Sequence, residues 1–168
     1  MKNRGMTLFI AVVIMGILLF ISFAVVNITI KGSLFASSGR DSQYAFYAAD
    51  SGIECAIYWD SKPVTGSAFA TSTASTITCA GLSVQTNDAI YGTSTRARIG
   101  GGGSANPSST FGMKFNLTGN NPVNSCAIVT VDKYYTGPNL MTHIKSRGYN
   151  TCDISNPRRI ERGVEVTY

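Results

Sequence analysis

The longest uninterrupted apolar stretch of the chain lies close to its start. The segment Met6–Ile30 contains no charged residue, and as a helix rising about 1.5 Å per residue it is longer than the roughly 30 Å hydrocarbon core of a bilayer. A cleaved secretory signal has an apolar region of only about 7 to 15 residues, so we expect this segment to be retained. Lys2 and Arg4 precede it. The positive-inside rule therefore predicts a single-pass membrane helix with its N-terminus in the cytoplasm and the residues after Lys31 outside.

A helical period of apolar residues continues beyond this segment. In "RDSQYAFYAADSGIECAIYWD", residues 40–60, apolar positions recur at spacings that place them on one face of a helix. The predicted face consists of Tyr44, Tyr47, Ala48, Cys55, Ala56 and Trp59. One helix from about Met6 to Asp60 follows, with residues 31–60 as its exported part. The alternative is a membrane helix joined by a linker at "KGSLFASSGR" to a separate helix.

Residues 61–110 have a different composition. They are rich in Ser, Thr, Gly and Ala, as in "TGSAFATSTASTITCAGLS", which is typical of loops and short edge strands rather than of core. The glycine run Gly100–Gly103 lacks the Lys-Ser/Thr ending of a phosphate-binding P-loop. We therefore predict a variable loop region here, with a flexible connector at the glycines.

After Phe111 the apolar residues alternate with a period of two. Four runs, "FGMKFNL", "CAIVTVDKY", "MTHIKSRGY" and "RIERGVEVTY", are separated by short segments rich in Gly, Pro and Asn. Short connections favour an antiparallel meander, so residues 111–168 are predicted to form an antiparallel β-sheet. One face of the last run is apolar and needs a partner. The predicted fold is α+β, with the sheet packed against the exported part of the long helix.

The composition of the chain indicates the compartment in which the protein folds. The 168 residues include 14 basic and 9 acidic side chains, a net charge of +5 that is too sparse to indicate nucleic acid. The cysteines are Cys55, Cys79, Cys126 and Cys152, without a CxxC pair and with one histidine in the chain. This set argues against a zinc site and favours two disulfides in an oxidising space. Cys126 opens one predicted strand and Cys152 follows another, which favours a Cys126–Cys152 bridge and leaves Cys55 to pair with Cys79; four cysteines allow three pairings in all.

The sequence offers little for catalysis. His143 is the sole histidine and lies on the predicted solvent face of a strand, with Asp132 and Asp153 as the carboxylates that folding could bring near it. Cys126 and Cys152 are better explained as disulfide partners than as nucleophiles. We therefore expect no catalytic site, no cofactor and no metal.

Taken together, these features resemble a family. A basic leader ending in glycine, a retained apolar helix that continues outside, a Ser/Thr-rich loop and a C-terminal antiparallel sheet resemble a type IV pilin. "RGMTLFIAVVIMGILLF" is similar to the start of PilX-type minor pilins and K-type pseudopilins, and "YAFYAADSGIECAIYWD" resembles an alanine-rich stretch of the PilX N-terminal region. "HIKSRGYNTC" with "RRIERGVEVTY" is similar to their closing strand pair. The resemblance covers the first 60 residues well and the last 30 moderately.

The resemblance implies a processing step and an assembly surface. Residues 1–5 would be a prepilin leader, cut by prepilin peptidase between Gly5 and Met6, with N-methylation of Met6. The helix would then pack against other major and minor pilins through Ala11, Gly16, Ala24 and neighbouring aliphatic residues, with an inner-membrane assembly platform as a further partner. The mature protein would pass from the inner membrane to a cell-surface pilus.

One position departs from the major-pilin pattern. Most pilins carry glutamate at the fifth mature position, where this chain has Ile10. A subunit without that carboxylate cannot neutralise the amino terminus of the subunit ahead, so it fits a place with none ahead. We therefore expect a minor pilin that primes or caps a type IV pilus. The alternatives are a pseudopilin of a secretion or DNA-uptake system, an uncleaved signal-anchored binding or adhesion protein, and an anchored enzyme.

Overall fold

The computed structural model describes residues 4–62, 66–70, 77–79, 82–84, 98–100, 107–117 and 123–168. Their helix and strands are, in chain order, α1 (Arg4–Ser61), β1 (Thr78–Cys79), β2 (Leu82–Ser83), β3 (Ser108–Leu117), β4 (Val123–Thr136), β5 (Asn139–Tyr149) and β6 (Glu161–Thr167). A long N-terminal helix is thus followed by a four-stranded antiparallel sheet, and the predicted α+β layout is confirmed. The chain forms two compact units, residues 1–40 and residues 41–168.

In the first unit α1 is mostly apolar. The helix is continuous for 58 residues, so the alternative of a linker at "KGSLFASSGR" is wrong. Between Met6 and Ile30 nearly every side chain is exposed, and α1 is long and apolar enough to cross a membrane. The polar side chains of Ser22, Asn27 and Thr29 donate hydrogen bonds to backbone carbonyls one turn back, at 2.8, 3.1 and 2.8 Å. Local satisfaction of this kind lowers the free energy required to place polar groups in hydrocarbon.

The second unit contains the sheet, which is a simple meander. The strand order is β3–β4–β5–β6 and every neighbouring pair is antiparallel, as the period-two runs predicted. β4 and β5 are joined by a tight turn in which Gly137 has φ +61°, a backbone conformation that glycine adopts without steric strain. β1 and β2 form a separate short antiparallel pair. Before β3, Arg98 bridges to Thr110 through two backbone hydrogen bonds of 2.6 and 2.7 Å.

One face of the sheet packs on the last third of α1, as predicted, but through a different set of helix residues. The buried stripe consists of Ala45, Ala48, Ala49, Gly52, Ile53 and Ala56. Of the predicted face, Ala48 and Ala56 are buried, Tyr44, Cys55 and Trp59 are half-buried, and Tyr47 is 63% exposed. The prediction was therefore wrong about Tyr47, whereas Cys55 and Trp59 pack against the core.

Small residues form the contact because helix and sheet backbones approach closely. A Cβ built on Gly148 of β5 would collide with the carbonyl oxygen of Ala45 and the amide nitrogen of Ala49. A Cβ on Gly52 would meet the Ser146 hydroxyl and lie 2.8 Å from Val129. A tyrosine does not fit into such a contact, since interiors are close-packed.

The core also contains residues from the Ser/Thr-rich region, contrary to the expectation that it lies outside the core. Phe69, Ile77 and Ile99 are buried in the cluster that joins α1 to the sheet. The rings of Phe69 and Phe111 stack with centroids 5.9 Å apart. Of the predicted glycine connector, Gly100 lies in the described part and its N–H donates to the buried Ser109 hydroxyl at 2.9 Å, while Gly101–Gly103 lie outside the described residues.

Candidate functional site

The predicted processing and assembly residues all lie in the first unit. Gly5 and Met6 are in the first turns of α1, while residues 1–3 of the predicted leader lie outside the described residues. Ile10, Ala11 and Ala24 are exposed. At about 100° per residue, Ala11 and Gly16 point about 140° apart, so the predicted assembly residues do not share one face. The exposed apolar surface therefore extends around the whole helix.

Gly16 interrupts this surface. It lies in a hollow bordered by the larger side chains of Leu19, Phe20 and Phe23, and a Cβ built on Gly16 would meet nothing within 4 Å. The absence of a side chain therefore leaves space on the helix surface rather than allowing a contact within the unit. Small residues at membrane helix surfaces permit close approach of another helix.

The second unit has a buried charged network at the end of α1. The Asp60 carboxylate lies 2.7 Å from the Lys133 ammonium of β4, and both side chains are less than a tenth exposed, at 6% and 7%. Ser67 donates a short hydrogen bond to Asp60 Oδ1, while Thr142 and Tyr168 donate to Oδ2 at 3.2 and 2.8 Å. The network joins the helix end to β4, β5 and the residue after β6.

The electrostatic environment explains why Asp60 needs these partners. An acidic residue in the last turn of a helix faces the negative end of the helix dipole. Burial raises the pKa of the Asp60 carboxyl, but hydrogen bonds from Lys133, Ser67 and Tyr168 outweigh it and leave the pKa below its ordinary value. Burial and the bond to Asp60 raise the pKa of Tyr168. The carboxylate is therefore charged and the phenol neutral across the physiological pH range.

A second set of contacts fixes the end of α1. Cys55 of α1 and Cys79 of β1 form a disulfide, which confirms that part of the predicted pairing. The Trp59 indole donates to the Thr78 carbonyl at 2.9 Å, and the Lys62 ammonium lies 4.2 Å from the centre of the Trp59 ring. These contacts attach β1 to the helix.

The other predicted cysteine pair is in contact but has no covalent bond in the structure. Cys126 and Cys152 are two thiols joined by a hydrogen bond. Cys126 is fully buried and Cys152 is partly exposed. The predicted proximity of the pair is thus confirmed, and the second disulfide stays a prediction.

The single histidine lies on β5 among charged residues of the neighbouring strands. His143 lies opposite Asp132 of β4 in the sheet register, and its Nε2 is 4.0 Å from the Glu165 carboxylate, which also binds Lys145 at 2.6 Å. Asp153 instead accepts hydrogen bonds from the backbone and the side chain of Ser155, at 2.9 and 2.7 Å. Within the described ranges, no group of His, Cys, Asp and Glu side chains could hold a metal ion.

An aromatic groove lies between α1 and the edge strand β3. Its floor is formed by Ala48 and Ser51 of the helix and its walls by Tyr44, Tyr47 and Phe115. Tyr58 and Trp59 border a further hollow next to it. The tyrosines that the sequence pattern placed in the core therefore lie around a surface groove.

Sequence reasoning missed the Asp60 network altogether. The sequence pattern places Asp60 at the end of the helix and Lys133 in the run "CAIVTVDKY", with nothing that pairs them. One signal was available, since Lys133 occupies a position that alternates with Val129 and Val131 on the buried face of β4. A lysine in that register needs a buried carboxylate.

Comparison of the chain with models of protein families, with characterised proteins and with solved structures gave no significant match.

Proposed function

We propose that this chain is a minor pilin-like structural subunit that primes or caps a type IV pilus. The observation that supports the proposal most is that two parts of one continuous helix differ in the exposure of their side chains. Its first part exposes apolar side chains on all sides, and its last third packs through small residues under an antiparallel meander. A helix of the first kind needs either lipid or other apolar helices around it.

Processing follows from the chemistry at the start of the helix. Prepilin peptidase cuts between Gly5 and Met6 and methylates the new amino group of Met6. The absence of a side chain at Gly5 lets the peptidase approach the backbone closely. Lys2 and Arg4 hold this end on the cytoplasmic side of the inner membrane, and the rest of the chain is exported.

Ile10 determines the place of the subunit in the fibre. A carboxylate at this depth in hydrocarbon requires a positive partner, and in a fibre the amino terminus of the adjacent subunit provides one. The chain lacks this carboxylate, so it gains nothing from a subunit ahead of it. A position at the tip or in a priming complex satisfies that constraint, and the role of the subunit in the fibre is structural.

The test of this role is Ile10→Glu, with Ile14→Glu as a matched control. Both positions are exposed aliphatic residues of the same helix, one turn apart, so both variants place one carboxylate in the membrane segment. We expect Ile10→Glu to raise the ratio of this subunit to the major pilin in sheared fibres and Ile14→Glu to leave it unchanged or lower. Quantitative mass spectrometry of purified fibres measures that ratio. An unchanged ratio for Ile10→Glu, or an equal rise for both variants, contradicts the tip assignment.

Cleavage is tested separately by Gly5→Leu, with Gly16→Leu as the control. A leucine at Gly5 obstructs the peptidase, so full-length protein accumulates in the membrane, whereas Gly16→Leu is cut normally because the space around Gly16 is open. Normal cleavage of Gly5→Leu excludes this processing step. A pseudopilin would give the same results in both tests. The identity of the major subunit recovered with the protein then shows whether the fibre is a pilus or a pseudopilus.

An uncleaved anchored binding protein is the second candidate, favoured by one observation. The second unit exposes the aromatic side chains of Tyr47, Tyr58 and Tyr135, which is the kind of surface that binds ligands or partners. This candidate predicts that the protein keeps Met1 and stays monomeric in detergent.

A further inference from the structure

A small second core lies on the face of the sheet that points away from α1. It contains Cys126 and Ile128 of β4 and Tyr149 of β5, with Cys152 packed against them. Lys114 of β3 is directly opposite Cys126 in the sheet register. The Cys152 N–H donates to the Asn124 carbonyl at 3.0 Å, which holds the segment after β5 against the start of β4. Two thiols from distant parts of the chain are thereby fixed in contact.

The two thiols differ in their access to solvent. Cys126 is 0% exposed, enclosed between the neighbouring strands, whereas Cys152 lies in the connection between β5 and β6 and is partly exposed. An external reagent therefore has access to Cys152 and none to the fully buried Cys126. In such a pair the accessible cysteine reacts with an external reagent before the protected one does.

Positive charge is concentrated beside this pair. The Arg159 guanidinium stacks on the Tyr149 ring at 3.8 Å, and its buried Nε has no hydrogen-bond partner among the described residues. Lys114 adds a second positive charge from β3. Two negative groups are nearby. Asp153 follows Cys152 in the chain, and hydrogen bonds from Ser155 together with the charge of Arg159 lower its pKa. Glu161 of β6 accepts a hydrogen bond from the Tyr149 hydroxyl, and burial followed by this bond raises the pKa of Tyr149 to about 12.

These surroundings shift the pKa values of the two thiols in opposite directions. The hydrogen bond from Cys126 lowers the pKa of Cys152, and Lys114 and Arg159 lower it further against the opposing effect of burial. The same hydrogen bond and burial raise the pKa of Cys126. Cys152 is thus the thiol of the pair that loses its proton more readily, and the thiolate is the reactive form.

We propose that Cys152 and Cys126 form a thiol–disulfide exchange site, in which Cys152 reacts first with an external disulfide and Cys126 then closes an internal bridge. The Cys152 thiolate attacks one sulfur of the external disulfide, forms a mixed disulfide and releases the first external thiolate. The Cys126 sulfur then attacks the Cys152 sulfur and displaces the second external thiolate, which takes up the Cys126 proton as it leaves. The protein loses two electrons and the external disulfide gains them. The site is independent of the proposed role in a fibre.

The order of reaction is tested with the full chain in detergent, treated with a mild reductant and then with glutathione disulfide. Cys126→Ser is expected to carry one glutathione on Cys152, and Cys152→Ser to carry none on Cys126. The wild type should end with a Cys126–Cys152 bridge and no retained glutathione, as peptide mapping by mass spectrometry will show. Glutathione on Cys126 of Cys152→Ser at a comparable rate, or a lasting adduct on the wild type, overturns the proposal.

A second measurement needs no cysteine variant. The reduced wild type is alkylated with limiting iodoacetamide across a pH series, and we expect Cys152 to be modified before Cys126 with a midpoint below that of an ordinary thiol. Arg159→Gln should raise this midpoint and slow the reaction several-fold at neutral pH. Arg158→Gln, a change of the adjacent arginine, should leave it in place. Modification of Cys126 first, or a midpoint that Arg159→Gln does not move, contradicts the assignment.

Discussion

The two parts of α1 have the same backbone conformation but place their side chains in different environments. Between Met6 and Ile30 the large aliphatic and aromatic side chains of the helix are all exposed. From Asp41 to Ser61 the residues toward the sheet are mostly alanine and glycine, and the large aromatic residues lie at the sides. The first part is built for an external apolar environment and the second for contact inside its own unit. Exposure of large residues and burial of small ones thus distinguish the outward apolar surface of the first part from the packing surface of the second.

The largest expected effect comes from removing the charge partner at the end of the packed part. Lys133→Ala leaves Asp60 buried without its ion pair, and breaking a buried pair in this way destabilises by about 3 to 5 kcal/mol. Urea unfolding of the full chain in detergent measures the loss. Lys145→Ala removes an exposed partner of Glu165 and serves as the control, for which we expect little change. Equal effects of the two variants would show that the Asp60 network does not hold the helix end.

The next effect tests the close approach of helix and sheet. Gly148→Ala places a methyl group against the α1 backbone at Ala45 and Ala49, which cannot move as a side chain can. We expect a loss of about 3 kcal/mol in the free energy of unfolding. Gly163→Ala on the neighbouring strand is the control, since the Ser146 carbonyl oxygen, the nearest atom to a Cβ there among the described residues, is 3.9 Å away. A Gly148→Ala protein as stable as Gly163→Ala rules out backbone contact as the reason for the small residues.

A smaller effect is expected from acid. Because the folded pKa of Asp60 is below its ordinary value, its contribution to stability is present above the unfolded pKa and disappears as pH falls through the folded pKa. The wild-type Tm should therefore decrease below about pH 4. Asp60→Asn should have a lower Tm at pH 7 and a flatter decrease on acidification. If the Tm of Asp60→Asn falls with pH as steeply as that of the wild type, other carboxylates cause the acid dependence.

The smallest effect is expected in the first part of the helix. Leu19 is 72% exposed, so Leu19→Ala should not change the unfolding of residues 41–168. Ile53→Ala, in the packed part, is the positive control with an expected loss of about 2 kcal/mol or more. Destabilisation by Leu19→Ala comparable to that by Ile53→Ala would end the distinction between the two parts.

The sequence predicted the elements well because each depends on local periodicity. The charge-free run from Met6 and the alternating runs after Phe111 correspond to α1 and the meander. The Cys55–Cys79 pair also followed from the placement of those elements. In these cases neighbours along the chain carry the information.

The predictions fail where contacts between distant parts of the chain determine which residues are buried or paired. Periodicity assigned Tyr47 to the core by its hydrophobicity, but the backbone approach at Gly148 leaves room only for small residues. Phe69 and Ile77 are isolated apolar residues in polar surroundings, so no local pattern marks them as core. The partners of Asp60 lie more than 70 residues later at Lys133, Thr142 and Tyr168, except for Ser67. Such contacts become visible only after folding.

The most direct test of the central claim is the N-terminus of the protein recovered from its own cell envelope. Intact mass and N-terminal sequencing together identify the first residue and its modification. We predict a chain that begins at N-methylated Met6, which commits the apolar part of α1 to assembly with other pilins. A chain that still begins at Met1 contradicts the account and makes the same helix a simple membrane anchor.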